Sequence, residues 1–319
     1  MKAFEQTVPL INEPSILDLE TKYRFNFIDL FAGIGGFHIA MANLGGTCVF
    51  ASEWDDNARK TYTENFYLKS PLLFNLDKTP TTNFAGDITK VNPQDVPNHD
   101  ILCGGFPCQP FSQAGFKKGF EDTRGTLFFN VCEIIKTKQP KAFFLENVNG
   151  LFKHDNGKTF KVIQNAIDDL GYNFYYKIVK ASDFNLPQHR PRLYMIGIRK
   201  DLAVDYVFPE PLKLAKSMSD IFEGAQVNKK IGFTLRVGGK CSPITDRRNW
   251  DGYLVNGELR RIKPKEGKRM QGFPEDYIFP VSDSIAMKQL GNSVAITAIQ
   301  ATAKELLKVL NSIGMIKNA

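Results

Sequence analysis

Apolar runs of four to seven residues alternate with segments of helical periodicity through the first two thirds of the chain. The predicted strands cover residues 25–31, 47–52, 101–104, 142–146, 175–180 and 192–198, and the predicted helices cover 37–43, 56–65, 127–136 and 160–170. Strands that alternate with helices form right-handed crossovers, which build a mostly parallel sheet covered on both faces. The pattern therefore predicts an α/β fold with a doubly wound, mostly parallel sheet.

The pattern changes after residue 206, where prolines, glycines and short β-like runs such as 231–235 replace the alternation. This texture predicts a second, small and irregular β-containing domain. Helical periodicity returns at residues 294–310, and this helix is expected to pack back on the first domain. The predicted organisation is an N-terminal extension of unassigned role (1–23), a main domain (24–206 with 285–319) and a small domain (207–284).

Positive charge is concentrated in one part of the chain. The 319 residues carry a net charge of +7, and twelve basic against four acidic residues lie between Lys229 and Arg269. This excess of eight exceeds the charge of the whole chain, so the remainder is close to neutral. A basic segment of this kind indicates contact with a polyanion, most simply nucleic acid phosphates, and the alternative is a solvated basic surface.

The remaining composition argues against several classes of protein. Hydrophobic residues at 43% and charged residues at 24% are typical of a globular protein with a sizeable core. No apolar run is long enough to span a membrane and no signal-peptide pattern is present, so a cytoplasmic protein without membrane contact is expected. The five cysteines are odd in number and scattered, which predicts neither a disulfide framework nor a metal site.

A glycine-rich turn, residues 31–36, follows the first predicted strand and opens the first helix. Glycines let backbone N–H groups approach a ligand, towards which the helix N-terminus points. Glu53 ends the next strand, where a carboxylate can bond ribose hydroxyls, and Trp54 offers a flat face to an adenine. Asp87 is predicted near the end of the third strand. These residues predict a cleft for one adenosine, and the alternative is a structural turn with an exposed carboxylate.

A second turn, Gly104-Gly105-Phe106-Pro107-Cys108, follows the strand at 101–104. Glycine and proline shape its backbone, so Cys108 is expected on a tight turn at a strand end, where α/β proteins bind ligands. Glu146 ends the strand at 142–146 and can converge on the same crevice. A thiolate beside a carboxylic acid suits attack on an electron-poor ring whose nitrogen is protonated as the bond forms. The alternative is that Cys108 is a buried structural cysteine.

Two arginines precede or open the strand at 192–198. Arg190 and Arg192 alternate along an extended segment, so both can face the crevice of Cys108 and hold an anion or order the acid. His189 lies between them on the opposite face and is expected to be a surface residue. The other histidines have no acidic or cysteine partner at ligand spacing, so none of the four is predicted to be catalytic.

These pieces occur in an order that resembles the DNA (cytosine-5) methyltransferases of bacterial type II restriction–modification systems. The matching segments are Phe31 to Gly36, Glu53-Trp54, Gly86-Asp87-Ile88, Gly105-Phe106-Pro107-Cys108-Gln109, Glu146-Asn147-Val148, Gln188-His189-Arg190-Pro191-Arg192, Arg261 to Pro274, and Gly291-Asn292-Ser293-Val294. The resemblance covers about residues 24–310. A match in this many ordered pieces is specific, although a single piece is not, and it implies a Rossmann-like methyltransferase fold.

The resemblance implies S-adenosylmethionine as methyl donor, S-adenosylhomocysteine as product, and no metal. The implied cofactor-binding residues are Phe31, Gly33, Ile34, Gly35, Gly36, Glu53, Trp54, Asp87, Ile88, Pro107 and Asn292. It also implies that Cys108 adds to C6 of a cytosine. Glu146 and Arg190 would engage N3 and the carbonyl of the base, while Arg192 would order the acid. The base would then accept the methyl group at C5, and loss of the C5 proton would release the enzyme.

The implied substrate is duplex DNA with a flipped cytosine, because a thiol cannot reach C6 inside a stacked duplex. The loop at 111–125 would close over DNA through Ser112, Lys117, Lys118 and Arg124. The expected DNA-binding residues of the small domain are Thr234, Arg236, Gly238, Gly239, Lys240, Arg247 and Arg248. Arginine can pair with guanine edges and glycine permits close backbone approach, but each basic residue can equally contact phosphate.

Three other functions remain open from the sequence. They are the same chemistry on RNA, a DNA-binding relative that has lost catalysis, and a nicotinamide-dependent oxidoreductase. The presence of Cys108, Glu146 and both arginines disfavours an inactive relative, and the glycine spacing departs from the dinucleotide fingerprint. Functional pairing with a restriction endonuclease, a bacterial cytoplasmic location and a monomeric state are expectations. The DNA sequence recognised is not predicted.

Overall fold

A central sheet organises the structure, a computed structural model that describes residues 22–107, 127–238 and 241–319. The strands are β1 (Tyr23–Leu30), β2 (Gly46–Ser52), β3 (Phe84–Ala85), β4 (Ile101–Gly104), β5 (Ala142–Val148), β6 (Tyr172–Lys180), β7 (Pro191–Arg199), β8 (Gly252–Val255), β9 (Glu258–Arg261) and β10 (Lys317–Asn318). The helices are α1 (Gly36–Asn43), α2 (Asp56–Phe66), α3 (Leu127–Lys138), α4 (Lys158–Asp169), α5 (Met218–Ile221), α6 (Pro264–Gln271), α7 (Asp283–Asn292) and α8 (Ile296–Ser312).

The sheet has the order β3-β2-β1-β4-β5-β7-β6, and β10 pairs with the start of β1. Strands β1 to β5 are parallel, and β7 runs antiparallel between β5 and β6. The predicted doubly wound, mostly parallel α/β sheet is therefore confirmed. Strand order reverses between β1 and β4, and ligands of open α/β sheets bind at the carboxyl edge beside such a reversal.

Apolar side chains bury the sheet on both faces, as a parallel sheet requires. Residues 101–104 and 142–147 are buried at every position, so these strands have no solvent face. One apolar cluster packs α1, α2 and α8 against the sheet, and a second packs α3 and α4 against the other face. The predicted packing of the C-terminal helix against the main domain is confirmed. Polar side chains are thereby left to the strand ends.

The region after residue 206 is more irregular, as predicted, but its elements differ from those expected. The β-like run at 231–235 is not a strand; Gly232 instead forms an isolated bridge with Gln188. The Leu235 N–H donates to the Gln188 side chain at 3.1 Å, so a polar side chain satisfies a group that a neighbouring strand would otherwise pair. The hairpin of β8 and β9 and the helices α6 and α7 were not predicted.

The buried residues of this region do not form a separate core. Leu235, Trp250, Tyr253 and Met270 belong to the same apolar cluster as the residues of β1 and α8. The predicted boundaries at 206/207 and 284/285 stay a prediction. Within the described ranges, no helix combines the length and the apolarity needed to cross a membrane.

Candidate active site

The glycine turn between β1 and α1 has a left-handed backbone at several positions. Phe31 has φ 56°, Gly33 has φ 56° and Gly35, which caps α1, has φ 80°. A Cβ on Gly36 would lie 2.6 Å from Cγ2 of Val294, whereas a Cβ on Gly33 would meet nothing closer than 4.0 Å. The turn is therefore packed tightly against the C-terminal segment and is open beside Gly33.

Glu53, directly after β2, holds this turn. Its carboxylate accepts hydrogen bonds from the N–H groups of Gly33 and Asp55, both at 2.8 Å. Burial raises the pKa of Glu53, and these N–H donors act in the opposite direction. Trp54 is 79% exposed, so its ring is available to stack on a planar ligand.

Asp87 and Ile88 follow the short strand β3. The Asp87 carboxylate accepts from the N–H of Thr89 at 3.0 Å and from its hydroxyl at 2.8 Å, which lowers the Asp87 pKa. Asp87 is half-buried, whereas Ile88 lies in the core. The structure thus brings the acids that follow β2 and β3 to the same edge of the sheet.

Arg59 joins these two strand ends and was not identified from the sequence. It donates to the carbonyls of Glu53 at 2.9 Å and Ala85 at 2.6 Å, and its guanidinium lies 4.3 Å from the centre of the Phe84 ring. These partners are 6 to 26 residues away. A single arginine in an amphipathic helix gives no sequence signal for such contacts.

The other predicted cofactor residues differ in exposure. Ile34 is 2% exposed, so its side chain belongs to the core. Pro107 and Asn292 are exposed, at the end of the β4 turn and at the end of α7. Because Leu30 pairs with Gly104, the turn leading to Pro107 lies beside the glycine turn.

Cys108 lies outside the described residues, as do Ser112, Lys117, Lys118, Arg124, Gly239 and Lys240. The chain that leads to Cys108 is described and passes Glu146. A Cβ on Gly105 would lie 3.6 Å from Oε2 of Glu146, and Asn147 donates to the carbonyl of Phe106 at 2.8 Å. Asn147 thus fastens the β4 turn to the end of β5.

Glu146 is 8% exposed at the carboxyl end of β5, and its Oε1 lies 3.0 Å from Nε of Arg192. Burial raises the pKa of Glu146, although the positive charges of Arg192 and Arg190 act to lower it. Val148 pairs with Arg192 across the β5–β7 ladder, which sets the arginine beside the acid. The site therefore favours a carboxyl group that can be held protonated nearer neutral pH than usual.

Arg190 is 2% exposed and faces a different set of partners. Its terminal nitrogens donate to the carbonyls of Leu235 at 3.3 Å, of Gly291 at 3.1 Å and of Ser293. Burial and the neighbouring Arg192 lower its pKa to about 9. Backbone carbonyls therefore accept three of the five hydrogen bonds that its guanidinium can donate, and its Nε has no partner among the described residues.

Asp29 is a second residue that sequence reasoning missed. It lies near the end of β1, is 1% exposed, and burial raises its pKa well above the ordinary value, with the Glu53 carboxylate raising it further. An acid inside an apolar strand, two residues before the glycine turn, was the available signal. His189 is exposed, as predicted.

About half of the described basic residues between Lys229 and Arg269 form ion pairs with acids. Ion pairs join Arg248 to Asp246 at 2.7 Å, Arg261 to Asp251 at 2.8 Å, Lys265 to Glu223 at 2.6 Å and Arg269 to Glu275 at 2.6 Å. Arg236 and Arg247 are exposed, and no acid of the described chain pairs with either. Thr234 donates to the carbonyl of His189, and the Gly238 carbonyl accepts from Trp250 at 2.8 Å.

The backbone of Arg236 lies close to the α7 end, because a Cβ on Gly291 would be 2.8 Å from the Arg236 carbonyl. The predicted DNA-binding residues thus begin beside the same segment that Arg190 contacts. Among the described residues, no group of three or more histidine, cysteine or acidic side chains is arranged to hold a metal ion.

Solved structures share this architecture. A putative DNA modification methyltransferase of an E. coli prophage superposes with a TM-score of 0.67 at 21% identity, over 90% of this chain and 99% of that one. A DNMT2 variant of Spodoptera frugiperda superposes with a TM-score of 0.65 at 20% identity and the same coverage. At this level of identity the likeness shows the fold, which is the Rossmann-like methyltransferase fold.

Curated relatives are closer in sequence. The type II methyltransferase M.HpaII of Haemophilus parainfluenzae is 43% identical, over 91% of this chain and 91% of that protein. M.SsoII of Shigella sonnei is 41% identical over 91% and 82%, and M.HhaI of Haemophilus parahaemolyticus is 38% identical over 89% and 95%. The model of the C-5 cytosine-specific DNA methylases matches residues 25–237 and 225–308. This chain therefore belongs to the family of C-5 cytosine-specific DNA methylases.

Proposed function

We propose that the chain transfers a methyl group from S-adenosylmethionine to C5 of a specific cytosine in duplex DNA, after the base has left the helix and Cys108 has added to C6. One observation carries the proposal. The turn that leads to Cys108 lies against Glu146, which pairs with Arg192, at the same sheet edge where Glu53 holds the glycine turn. This arrangement supports the proposal that a nucleophile, an acid and an adenosine cleft share one crevice.

The described residues fit the methyl donor, which supplies an electrophilic methyl group when bound. Glu53 keeps acceptor capacity for ribose hydroxyls, because each of its oxygens accepts one backbone hydrogen bond. Trp54 would stack on the adenine, and Asp87 and Ile88 would border it. The turn is open at Gly33, where a backbone can approach a ligand closely.

The reaction follows from the polarity of cytosine. Bond formation between the Cys108 sulfur and C6 moves an electron pair of the ring towards N3, where Glu146 supplies a proton. A second electron pair, in the C4–C5 double bond of the resulting enamine, makes C5 nucleophilic and forms the bond to the methyl carbon. The bond between the methyl group and the donor sulfur would break, and its electron pair would stay on the sulfur of S-adenosylhomocysteine. Loss of the C5 proton, return of the N3 proton and breakage of the S–C6 bond restore the aromatic ring and the thiolate.

The two arginines take different roles in this proposal. Arg192 orders the acid, as its 3.0 Å contact with Glu146 supports. Arg190 would engage the carbonyl of the base. Its terminal nitrogens also tie the start of β7 to residues 235, 291 and 293, and its Nε has no partner among the described residues. Glu146 is buried, so a stacked base could not reach it, and base flipping follows.

Methyl transfer from radiolabelled S-adenosylmethionine tests the function. We expect incorporation into duplex DNA, with 5-methylcytosine at one position of a short sequence detected by bisulfite sequencing. Transfer RNA in the parallel reaction is expected to remain unlabelled. Labelling of tRNA alone would show that the substrate is RNA and not DNA. Labelling of neither substrate would contradict the proposed activity. Protection of the modified DNA from a partner restriction endonuclease is the expected biological consequence.

Reversal of charge at Arg247 is expected to weaken DNA binding more than reversal at Arg248. Arg248 is already paired with Asp246, and its guanidinium lowers the pKa of the Asp246 carboxyl to about 2. Arg247 has no acidic partner among the described residues. Loss of one phosphate contact lowers the slope of log K against log salt by about one. Arg247→Glu and Arg248→Glu are compared by fluorescence anisotropy across a salt series.

Lys308→Glu provides the matched control for this comparison. It makes the same change in net charge on α8, where Lys308 pairs with Glu305 at 2.7 Å. An equal loss of affinity in all three variants would mean that only net charge matters. An unchanged slope in Arg247→Glu would remove this residue from the proposed DNA surface.

A further inference from the structure

Tyr277 reaches from the C-terminal third of the chain to the glycine turn. Its hydroxyl donates to the carbonyl of Ile34, 243 residues away in the sequence. Its ring is 7% exposed, and the rings of Phe273 and Phe279 lie 4.7 and 5.4 Å from it. We propose that Tyr277 is a positioning residue that holds the glycine turn in the shape that receives the methyl donor. The inference rests on the proposed function.

The segment that carries Tyr277 is fixed to α2. The Asn65 side chain donates to the Ile278 carbonyl at 2.8 Å and accepts from the Ile278 N–H at 2.9 Å. One helical turn earlier, the hydroxyl of Thr61 donates to the Gln289 side chain at 3.0 Å. Helix α2 begins three residues after Glu53, beside the proposed cleft. The same helix therefore fixes the segment whose Tyr277 hydroxyl contacts the glycine turn.

The hydrogen bond holds the Ile34–Gly35 peptide unit at its carbonyl, while the N–H of the same unit donates to the Ala32 carbonyl at 2.8 Å. The peptide group is planar, so a bond to the Ile34 carbonyl also sets the direction of the Gly35 N–H. Glycines at 33 and 35 flank this unit, and glycine populates both signs of φ. Without the hydroxyl, the unliganded turn would populate other conformations. The apparent affinity for the methyl donor would then fall in proportion to the fraction of molecules that keep the binding-competent conformation.

Tyr277→Phe isolates this contribution, because it keeps the ring and removes the hydroxyl. Tyr206→Phe is the matched control: Tyr206 is also buried, at 4% exposed, and its hydroxyl donates to the Thr302 carbonyl at 3.1 Å, away from the turn. Calorimetry with S-adenosylhomocysteine measures affinity, and thermal unfolding shows that both variants fold. We expect Tyr277→Phe to raise the dissociation constant by about three- to tenfold and Tyr206→Phe to leave it unchanged.

Turnover separates positioning from a general loss of stability. At saturating S-adenosylmethionine we expect kcat and the DNA affinity of Tyr277→Phe to match the wild type, while the KM for the donor rises. Equal donor affinity in Tyr277→Phe and wild type would overturn the inference, as would an equal loss in both tyrosine variants. If the wild type bound no S-adenosylhomocysteine, the proposed function itself would fail, which is a different result.

Asn65→Ala tests whether the hydrogen bonds between Asn65 and Ile278 are needed to place the Tyr277 hydroxyl. Loss of both hydrogen bonds to Ile278 releases the segment that aims Tyr277, so the dissociation constant is expected to rise in the same direction. Because both changes act through one hydroxyl, the double variant should bind no more weakly than Tyr277→Phe alone. Additive losses would show that Asn65 acts independently and would contradict a shared route.

Discussion

A Cys108→Ser variant is expected to lose at least about 10³-fold of methyl transfer while it still binds duplex DNA and S-adenosylhomocysteine. A serine hydroxyl has a far higher pKa than a thiol, so almost no nucleophilic anion forms near neutral pH. Cys108 lies outside the described residues, but in the turn before it Gly105 lies beside Glu146 and the Phe106 carbonyl accepts from Asn147. Single-turnover methyl transfer measures the loss.

Cys241→Ser is the control for this variant. Cys241 is an exposed free thiol outside the candidate crevice, so its replacement should leave turnover unchanged. A duplex with 5-fluorocytosine at the target provides a second measurement, because fluorine cannot leave C5 as a proton does and the adduct persists. A denaturation-resistant complex is expected for the wild type and not for Cys108→Ser. Retained turnover in Cys108→Ser would remove the thiol from its proposed role.

The sheet and its carboxyl edge could be predicted from sequence because each buried strand is a short apolar run that stops at a glycine or a polar residue. Residues 101–104 form a strand with the predicted bounds, and Glu53 and Asp87 follow the ends of β2 and β3. Glu146 lies two residues before the end of β5, which runs to Val148 and not to 146 as predicted. A parallel sheet buried on both faces leaves no other place for these groups. Local composition was therefore sufficient for these positions.

The contacts that hold the site together were beyond sequence reasoning. Arg190 donates to carbonyls 45 to 103 residues away, and Tyr277 donates to one 243 residues away. A side chain that binds a backbone carbonyl has no preferred partner residue, so no sequence pattern marks the pair. The run at 231–235 was mistaken for a strand for a related reason, since Gln188 satisfies its backbone.

These missed contacts change the interpretation of the two arginines. Alternation along an extended segment placed Arg190 and Arg192 in equivalent positions. The structure distinguishes them, because Arg192 contacts the acid while Arg190 contacts the segments at 235 and 291–293. Ser293 precedes Val294, which packs on Gly36 of the glycine turn. The segment at 291–294 thus touches both Arg190 and the turn proposed to hold the donor.

Glu146→Gln is expected to lower kcat by about 10²- to 10⁴-fold and to change its pH dependence. The proposed acid must be protonated to donate to N3, so the wild-type rate falls as pH rises through the raised pKa of Glu146. A thiol loses its proton as pH rises, so the nucleophile and the acid give the wild-type profile two opposite limbs and a bell shape. In the glutamine variant the falling limb disappears, and the residual rate rises with pH. Arg192→Gln removes the nearest cation, so its falling limb should move to higher pH.

The same substitution separates catalysis from stability. A carboxyl whose pKa is higher in the folded protein than in the unfolded chain stabilises the fold fully below the unfolded pKa, and this stabilisation is lost as pH rises through the folded value. Glu146 is in this position, because burial outweighs both arginines. The glutamine side chain does not ionise, so the melting temperature of the variant should increase relative to that of the wild type as pH rises. A falling rate limb retained in Glu146→Gln would assign the proton to another group, because this variant has no acid at that position.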